Sequence, residues 1–382
     1  MVSLFLRPRR FGKAMFTEIL KYYYDSALEE QSTRIFRDTH IAANPTPLKS
    51  SLLVLMFDFS GIDTQGGAEA VLDSFTYKII RGIDDFYFRY PGLIPAEIRC
   101  MAASSQPNEL SWTVCQYYSN KTLFPTAGRL INHFMNYMKN FQKKLMVIID
   151  EYDNFTNDIL SHDANAFAEI ARKEGDVSRF YQNLRACQQR GIIDRIFITG
   201  VLPVTLDTSL SGFVFDRLYD DHQFNELAGF TEDEIRTLLH ETVDFGQYAF
   251  TPETLAEEIR KRYNGYRFAE NAENTVCNPA LCLGFLKQLT NRKGQKIPPL
   301  GTESGNDMDF EKLSGYLALI KEDALNSIFR SLDPSQSEDS GGYIALPAQA
   351  TSLKITSEFS RLEVNVGITP PVPPGIPDYC LQ

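Results

Sequence analysis

A basic segment near the start of the chain contains residues that can hold a phosphate group. It reads Arg-Pro-Arg-Arg-Phe-Gly-Lys-Ala over residues 7–14, between a short apolar run and an amphipathic stretch. Phosphate binding uses backbone N–H groups at a helix N-terminus, a glycine that lets the chain approach, and a lysine. Gly12 and Lys13 supply the last two, but Arg7 and Ala14 replace the first Gly and the final Ser/Thr of G-x-x-x-x-G-K-[ST]. By itself the segment predicts either a phosphate-binding loop or a basic loop that caps a helix.

Two acidic residues follow an apolar run in the middle of the chain. Leu145–Ile149 precedes Asp150 and Glu151, which is a Walker B pattern. A strand of this kind delivers Asp150 to the sheet edge where Mg²⁺ binds, and Glu151 can orient and deprotonate a water molecule. The alternative is a strand that ends in solvated acids. Asp153 either assists the metal or caps the next segment.

A third candidate follows the apolar run Ile192–Ile198. Thr199 ends this run, and its hydroxyl can polarise an attacking water or contact a γ-phosphate, although Thr-Gly after a strand is also ordinary turn chemistry. Open α/β sheets bind ligands at the carboxyl ends of their strands, and all three candidates follow apolar runs of strand length. Together they predict a P-loop NTPase.

The elements that must position these residues are buried strands alternating with helices. Leu52–Phe59 is a continuous apolar run, and Leu145–Ile149 and Ile192–Thr199 are further runs of the kind that is typical of parallel strands buried on both faces. Helical spacing predicts helices between the strands, over residues 14–25, 68–87, 129–143 and 167–190. This alternation predicts an α/β core with a parallel sheet over residues 1–222.

The rest of the chain has a different character. Residues 223–330 show mainly helical periodicity, with helices expected at 231–242, 252–263 and 279–289, and the first opens with a capping-box pattern of Thr231 and Glu234. Residues 331–382 contain seven of the 19 prolines and no helical stripe. We therefore expect a smaller helical domain followed by a Pro-rich irregular or disordered tail.

Composition excludes several classes of function. The net charge of −11 argues against a general nucleic-acid coat, which needs a basic face. No apolar run reaches the length of about 18 residues that a transmembrane helix needs, so no membrane association is predicted. The six cysteines include no CxxC pair, which argues against a zinc site or a disulfide framework. An intracellular location, cytoplasmic or nuclear, is the expectation.

Over residues 3–290 the sequence resembles the AAA-ATPase-like proteins, which are often joined to a PD-(D/E)XK nuclease domain. The resemblance rests on the order and spacing of short motifs: RPRRFGK at 7–13, DFS at 58–60, IDEYD at 149–153, ITGV at 198–201 with Pro203, SGF at 211–213, LAGFT at 227–231, YNGYRF at 263–268 and NP at 278–279. It implies a P-loop ATPase core with a helical lid over residues 223–330. The chain departs from the family in lacking a segment before the first strand and a nuclease constellation in residues 331–382, so it is expected to be trimmed at both ends.

The resemblance also implies the roles of individual residues. Lys13 matches the Walker A lysine, Asp150 the Mg²⁺ ligand and Glu151 the catalytic acid, with Thr199 as a second catalytic candidate. The RPRR arginines would lie on the phosphate side. The predicted cofactor-binding set is Arg9, Arg10, Phe11, Gly12, Lys13 and Ala14, and the predicted cofactors are ATP and Mg²⁺.

Ala14 leads to two alternative expectations about function. The family has Ser where this chain has Ala14, and losing that hydroxyl removes one Mg²⁺ ligand that water can replace. We therefore expect an ATPase that binds ATP with Mg²⁺ and hydrolyses it weakly. The alternative is a catalytically degenerate module that binds nucleotide or an unidentified protein partner. A nucleic-acid partner is suggested by family association only.

The YNGYRF segment has two interpretations. It is either a sensor that faces the nucleotide through Arg267, or a turn of the helical domain with its aromatic rings packed in the core and Gly265 in a left-handed conformation. The structural interpretation is favoured for the aromatic residues, and the role of Arg267 is open.

Overall fold

The computed structural model describes residues 1–102, 106–156, 159, 170, 175–201, 213–269 and 271–291. The chain divides into two compact units. The first contains Met1–Phe5 and Ala14–Asp216, and the second contains Leu6–Lys13 and the chain from Arg217 onward. Residues 292–330 of the predicted lid and the predicted tail, residues 331–382, lie outside the described residues.

A sheet forms the centre of the first unit. Within the described residues its strands are β1 (Val2–Leu6), β2 (Leu53–Asp58), β3 (Leu145–Asp150), β4 (Ile193–Gly200) and β5 (Asp216–Arg217), in the order β2-β3-β4-β1-β5. β3 pairs in parallel with both β2 and β4. Every residue of β3 is buried, as expected of a parallel strand covered on both faces. The predicted α/β class is confirmed.

Helices alternate with these strands. They are α1 (Lys13–Tyr24), α2 (Glu29–Ile35), α3 (His40–Ala43), α4 (Gly67–Arg89), α5 (Ala96–Met101), α6 (Pro107–Tyr118), α7 (Ala127–Met138) and α8 (Asp176–Gln189). The apolar spacing predicted α1, α4, α7 and α8. It missed α2, α3, α5 and α6. Of these, α2 has no apolar stripe because Ile35 is its one apolar residue. No helix in the described ranges combines the length and the apolar character needed to cross a membrane.

Two glycines allow close packing in this unit. A Cβ on Gly82 of α4 would lie 2.6 Å from the Met56 carbonyl oxygen and 2.6 Å from Phe57 Cδ1, so α4 lies directly against β2. A Cβ on Gly128 of α7 would lie 2.9 Å from Cβ of Arg179 on α8. Larger residues at either position would push these elements apart.

The buried Asp25 joins the ends of α1 and α4 to β2. Its carboxylate accepts hydrogen bonds from the Tyr90 hydroxyl, from Arg89 Nε at 3.1 Å and from the Ala27 N–H at 2.8 Å. On β2, the Val54 N–H donates to the Tyr90 hydroxyl at 3.0 Å, and Arg89 donates to the Val54 carbonyl at 2.6 Å. Burial and the neighbouring Asp25 carboxylate raise the pKa of the Tyr90 phenol. This network therefore satisfies buried polar groups from three elements at once.

The second unit is helical where it is described. It contains α9 (Glu232–Thr242), α10 (Pro252–Tyr263) and α11 (Pro279–Asn291), close to the predicted bounds. The predicted capping box is present, since the Glu234 N–H donates to Thr231 Oγ1 at 3.3 Å and the Thr231 N–H donates to the Glu234 carboxylate at 2.9 Å. The three helices pack around a buried apolar core that includes Leu239, Leu255, Ile259, Cys282 and Phe285.

Removal of the Asp25 carboxylate should destabilise the first unit strongly. In Asp25→Ala the Arg89 guanidinium and the Tyr90 hydroxyl lose a shared buried acceptor, which costs about 3–5 kcal/mol of unfolding free energy. Urea or thermal unfolding measures the loss. Asp38→Ala is the control, because the Asp38 carboxylate pairs with Arg37 at the surface and is 82% exposed. It should leave the unfolding midpoint unchanged, and an equal loss in the two variants would contradict the prediction.

Candidate functional site

The basic segment connects β1 to α1. β1 ends at Leu6 and α1 begins at Lys13, so the predicted order of strand, loop and helix is confirmed. Arg10, with φ 72°, and Gly12, with φ 79°, have left-handed backbone conformations. Glycine adopts this conformation readily, whereas any other residue loses about 1–2 kcal/mol. Backbone nests that bind anions contain such left-handed residues.

Lys13 is the first residue of α1, and its side chain turns back over the loop. Its ammonium donates to the Arg7 carbonyl at 2.9 Å and to the Pro8 carbonyl at 3.2 Å. The side chain is buried. The loop therefore closes around the charge that would meet a phosphate.

Arg7 turns away from solvent and binds the backbone of the second unit. Its guanidinium donates to the carbonyls of Leu6 at 2.9 Å, Tyr219 at 3.2 Å and Phe224 at 2.6 Å. It also lies 3.8 Å from the centroid of the Phe268 ring. Burial lowers the pKa of Arg7 to about 9, so the side chain is still protonated at neutral pH. The phosphate-side role implied for all the RPRR arginines is wrong for Arg7, because its side chain is wholly buried on carbonyl groups.

The other predicted cofactor-binding residues occupy two kinds of environment. Arg9, Arg10 and Ala14 are exposed, and Gly12 is half-buried. Phe11 is only 1% exposed, so its ring belongs to the core of the second unit. The structure thus brings these residues together in one loop but separates the exposed arginines from the buried ring.

The YNGYRF segment forms part of that core. Tyr263 and Tyr266 are buried, Gly265 has a φ of 121°, and the rings of Tyr266 and Phe268 pack on Phe11. The structural interpretation of its aromatic residues is confirmed.

Sequence reasoning missed the asparagines that support this region. The side chain of the buried Asn225 accepts hydrogen bonds from the Phe268 N–H at 2.9 Å and the Ala269 N–H at 3.4 Å, and it donates to the Asn274 carbonyl at 3.0 Å. Asn278 donates to the Arg9 carbonyl at 3.4 Å. Asn278 lies in one of the recognised motifs, but no sequence pattern marks Asn225.

In the first unit, the carboxyl ends of β3 and β4 bring Asp150, Glu151 and Thr199 together. The Thr199 hydroxyl donates to Asp150 Oδ1, and the Glu151 N–H donates to the same oxygen at 3.0 Å. Asp150 and Thr199 are buried, while Glu151 is half-buried with a left-handed φ of 51°. Asp58 on β2 stands in register with Asp150. The hydroxyl of Thr199 therefore orients the carboxylate that was predicted to hold a metal.

Asp153 fixes the segment that follows β3. Its buried carboxylate accepts hydrogen bonds from the Val201 N–H at 3.0 and 3.1 Å, and the Tyr152 N–H donates to the Thr199 carbonyl at 3.0 Å. These contacts bind the turn to the end of β4, and the two roles predicted for Asp153, metal assistance or capping of the next segment, stay predictions. Within the described ranges, no group of three or more His, Cys, Asp and Glu side chains suits a metal ion.

Gly200 should tolerate no side chain. A Cβ at this position would lie 2.5 Å from Tyr152 Cδ1 and 2.6 Å from Asp153 Oδ1, so Gly200→Ala must displace the turn that carries Glu151. We expect a loss of about 1–3 kcal/mol in urea unfolding. Gly92→Ala is the control, since a Cβ there meets no atom within 4 Å. Equal stability of the two variants would show that the turn adapts without cost.

Comparison with known proteins identifies a family. Residues 1–210, more than half of the chain, match the family model AAA-ATPase-like, described as predicted AAA-ATPase. No curated protein and no solved structure shows a significant match to the chain. On the extent of the family match, this chain belongs to the AAA-ATPase-like family.

Proposed function

We propose that this protein binds ATP together with Mg²⁺ and hydrolyses it slowly. The observation that carries the proposal is the loop between β1 and α1, in which Lys13 heads a helix and Arg10 and Gly12 are left-handed. A helix N-terminus preceded by such a loop suits a phosphate group. Membership of the family supports a general ATPase-like function.

The loop supplies the phosphate contacts in this proposal. The Lys13 ammonium, which lies on the Arg7 and Pro8 carbonyls, would exchange these acceptors for phosphate oxygens. Exposed guanidinium groups on Arg9 and Arg10 would add positive charge. Phe11, Gly12 and Ala14 would contribute backbone N–H groups, since a buried ring and a methyl group offer no polar contact.

The carboxylate end of β3 supplies the remaining roles. Asp150 would hold Mg²⁺ in this proposal, which is supported by its carboxylate oxygens and by the orientation that Thr199 and the Glu151 N–H give them. When bound, Mg²⁺ neutralises charge on the phosphates. Glu151 would take a proton from water as the general base. Thr199 would act by holding Asp150.

A second candidate function is nucleotide binding without turnover. Ala14 favours it, because the second residue of α1 presents an exposed methyl group where the pattern has a hydroxyl. Binding through Lys13 is common to both candidates. The two candidates differ only in whether the bound ATP is hydrolysed.

Loss of the Lys13 charge should abolish most of the ATP affinity. Lys13→Ala removes the ammonium that faces the phosphates, so titration calorimetry with ATP and Mg²⁺ should show a Kd raised about 100-fold or more. Lys21→Ala is the matched control on the same helix, because the Lys21 ammonium pairs with Glu18 at 2.5 Å. The site assignment fails if Lys13→Ala binds ATP as tightly as Lys21→Ala.

Glu151→Gln should separate the two candidate functions. It removes the general base, so phosphate release should fall by about 10²- to 10⁴-fold while ATP still binds. A steady-state phosphate assay and calorimetry measure the two quantities. A wild-type chain that binds ATP and releases no phosphate would instead establish the second candidate.

A further inference from the structure

We propose that Tyr266 and Phe268 are positioning residues for the nucleotide, although they lie far along the chain from the phosphate loop. They hold Phe11 and Arg7, and these two residues in turn hold the loop in its anion-binding form. The inference rests on the proposed function. It connects two separate sequence motifs, RPRRFGK and YNGYRF, through direct contacts between their side chains.

The first contact is aromatic. The Phe11 ring meets Tyr266 edge-on, with centroids 4.6 Å apart and planes at 71°, and it meets Phe268 at 5.3 Å and 86°. Edge-to-face pairs of this kind contribute about 0.5–1.5 kcal/mol beyond the burial of area. A Cβ on Gly229 would lie 3.4 Å from Phe11 and 2.6 Å from Val276, so the pocket for the ring is tightly filled.

The second contact is electrostatic. The Arg7 guanidinium lies 3.8 Å from the centroid of Phe268, and its N–H groups donate to the carbonyls of Leu6, Tyr219 and Phe224. A buried cation needs such partners, because leaving it without them costs several kcal/mol. The Phe268 ring is a side-chain part of this shell, so a single substitution removes it.

The two rings are held by the helical unit itself. Asn225 accepts the Phe268 N–H at 2.9 Å, and Tyr266 exchanges backbone hydrogen bonds with Val276 at 3.0 and 3.3 Å. The backbone that carries the two rings is therefore held by contacts outside the loop. The loop takes its shape from the two rings.

The contacts of Arg7 and Phe11, the two anchors of the loop, constrain the residues between them. Arg7 and Phe11 flank Arg9 and Arg10, and Arg10 has a left-handed φ of 72° that is unfavourable for arginine. Such a conformation persists only where surrounding contacts impose it. Without the anchors the loop can relax, and phosphate binding then bears the cost of ordering it again.

The test compares substitutions of two aromatic residues in the same unit. Phe268→Leu removes the ring that contacts Arg7 and Phe11. The matched control, Phe285→Leu, removes a buried ring that packs in the helical core and whose centroid lies 5.8 Å from that of the Tyr263 ring. Titration calorimetry with ATP and with AMP, in Mg²⁺, should show the ATP Kd raised about tenfold in Phe268→Leu. The AMP Kd should change by less than about twofold, since AMP lacks the β- and γ-phosphates.

Two further measurements separate positioning from general destabilisation. Phe268→Tyr keeps the ring and should bind ATP as the wild type does. Hydrogen exchange of the amides of residues 9–13 should speed up in Phe268→Leu and stay unchanged in Phe285→Leu. Equal losses of ATP and AMP affinity in Phe268→Leu, or equal effects of both Leu variants, would overturn the inference.

Failure of this inference is distinguishable from failure of the proposed function. A wild-type chain that binds no ATP overturns both. A wild type that binds ATP, together with a Phe268→Leu variant of unchanged affinity and unchanged exchange, overturns only the positioning role. Selective loss of ATP affinity with faster exchange at residues 9–13 supports it.

Discussion

The guanidinium of Arg7 is a positive charge buried away from solvent, and the groups around it must accommodate that charge. Three backbone carbonyls and the face of Phe268 surround it. Because a buried charge is tolerated only with such partners, the residues that supply them must keep their positions. The loop from Leu6 to Lys13 consequently belongs to the same compact unit as the chain from Arg217 onward. The loop is thus shaped by residues that lie more than 200 positions further along the sequence.

The sheet of the first unit also fixes the positions of particular side chains, and it does so through the pairing of its strands. Parallel pairing of β3 with β4 sets the ends of both strands side by side, so Thr199 reaches Asp150 and the backbone of Val201 reaches Asp153. Gly200 leaves the space that the turn needs. Glu151, which has a left-handed φ, lies within this hydrogen-bonded turn. The backbone position from which its carboxylate projects is therefore fixed. The general-base role proposed for Glu151 needs such support, because small displacements cost a catalytic group much of its effect.

Much of this architecture was predictable from local patterns. Runs such as Leu145–Ile149 are apolar at every position, and a strand covered on both faces has that pattern whatever its neighbours are. The bounds of α10 and the Thr231 capping box follow from the same kind of local rule. The Asp25 network was not predictable, because a lone aspartate after a helix does not reveal that Arg89 and Tyr90 will reach it. Asn225 was missed for the same reason.

The sequence by itself determined the family, the α/β class and the motifs that contain the candidate site residues. Residue type and spacing suffice for these, since phosphate loops and acidic strand ends each need particular chemistry at fixed intervals. Only the tertiary structure decided where the side chain of each motif residue lies and which groups it contacts. Among neighbouring loop residues, Arg7 and Phe11 are buried while Arg9 and Arg10 are exposed. The physical reason is that burial depends on groups brought from elsewhere in the chain, here Phe224, Tyr266 and Phe268, and no local pattern encodes their approach.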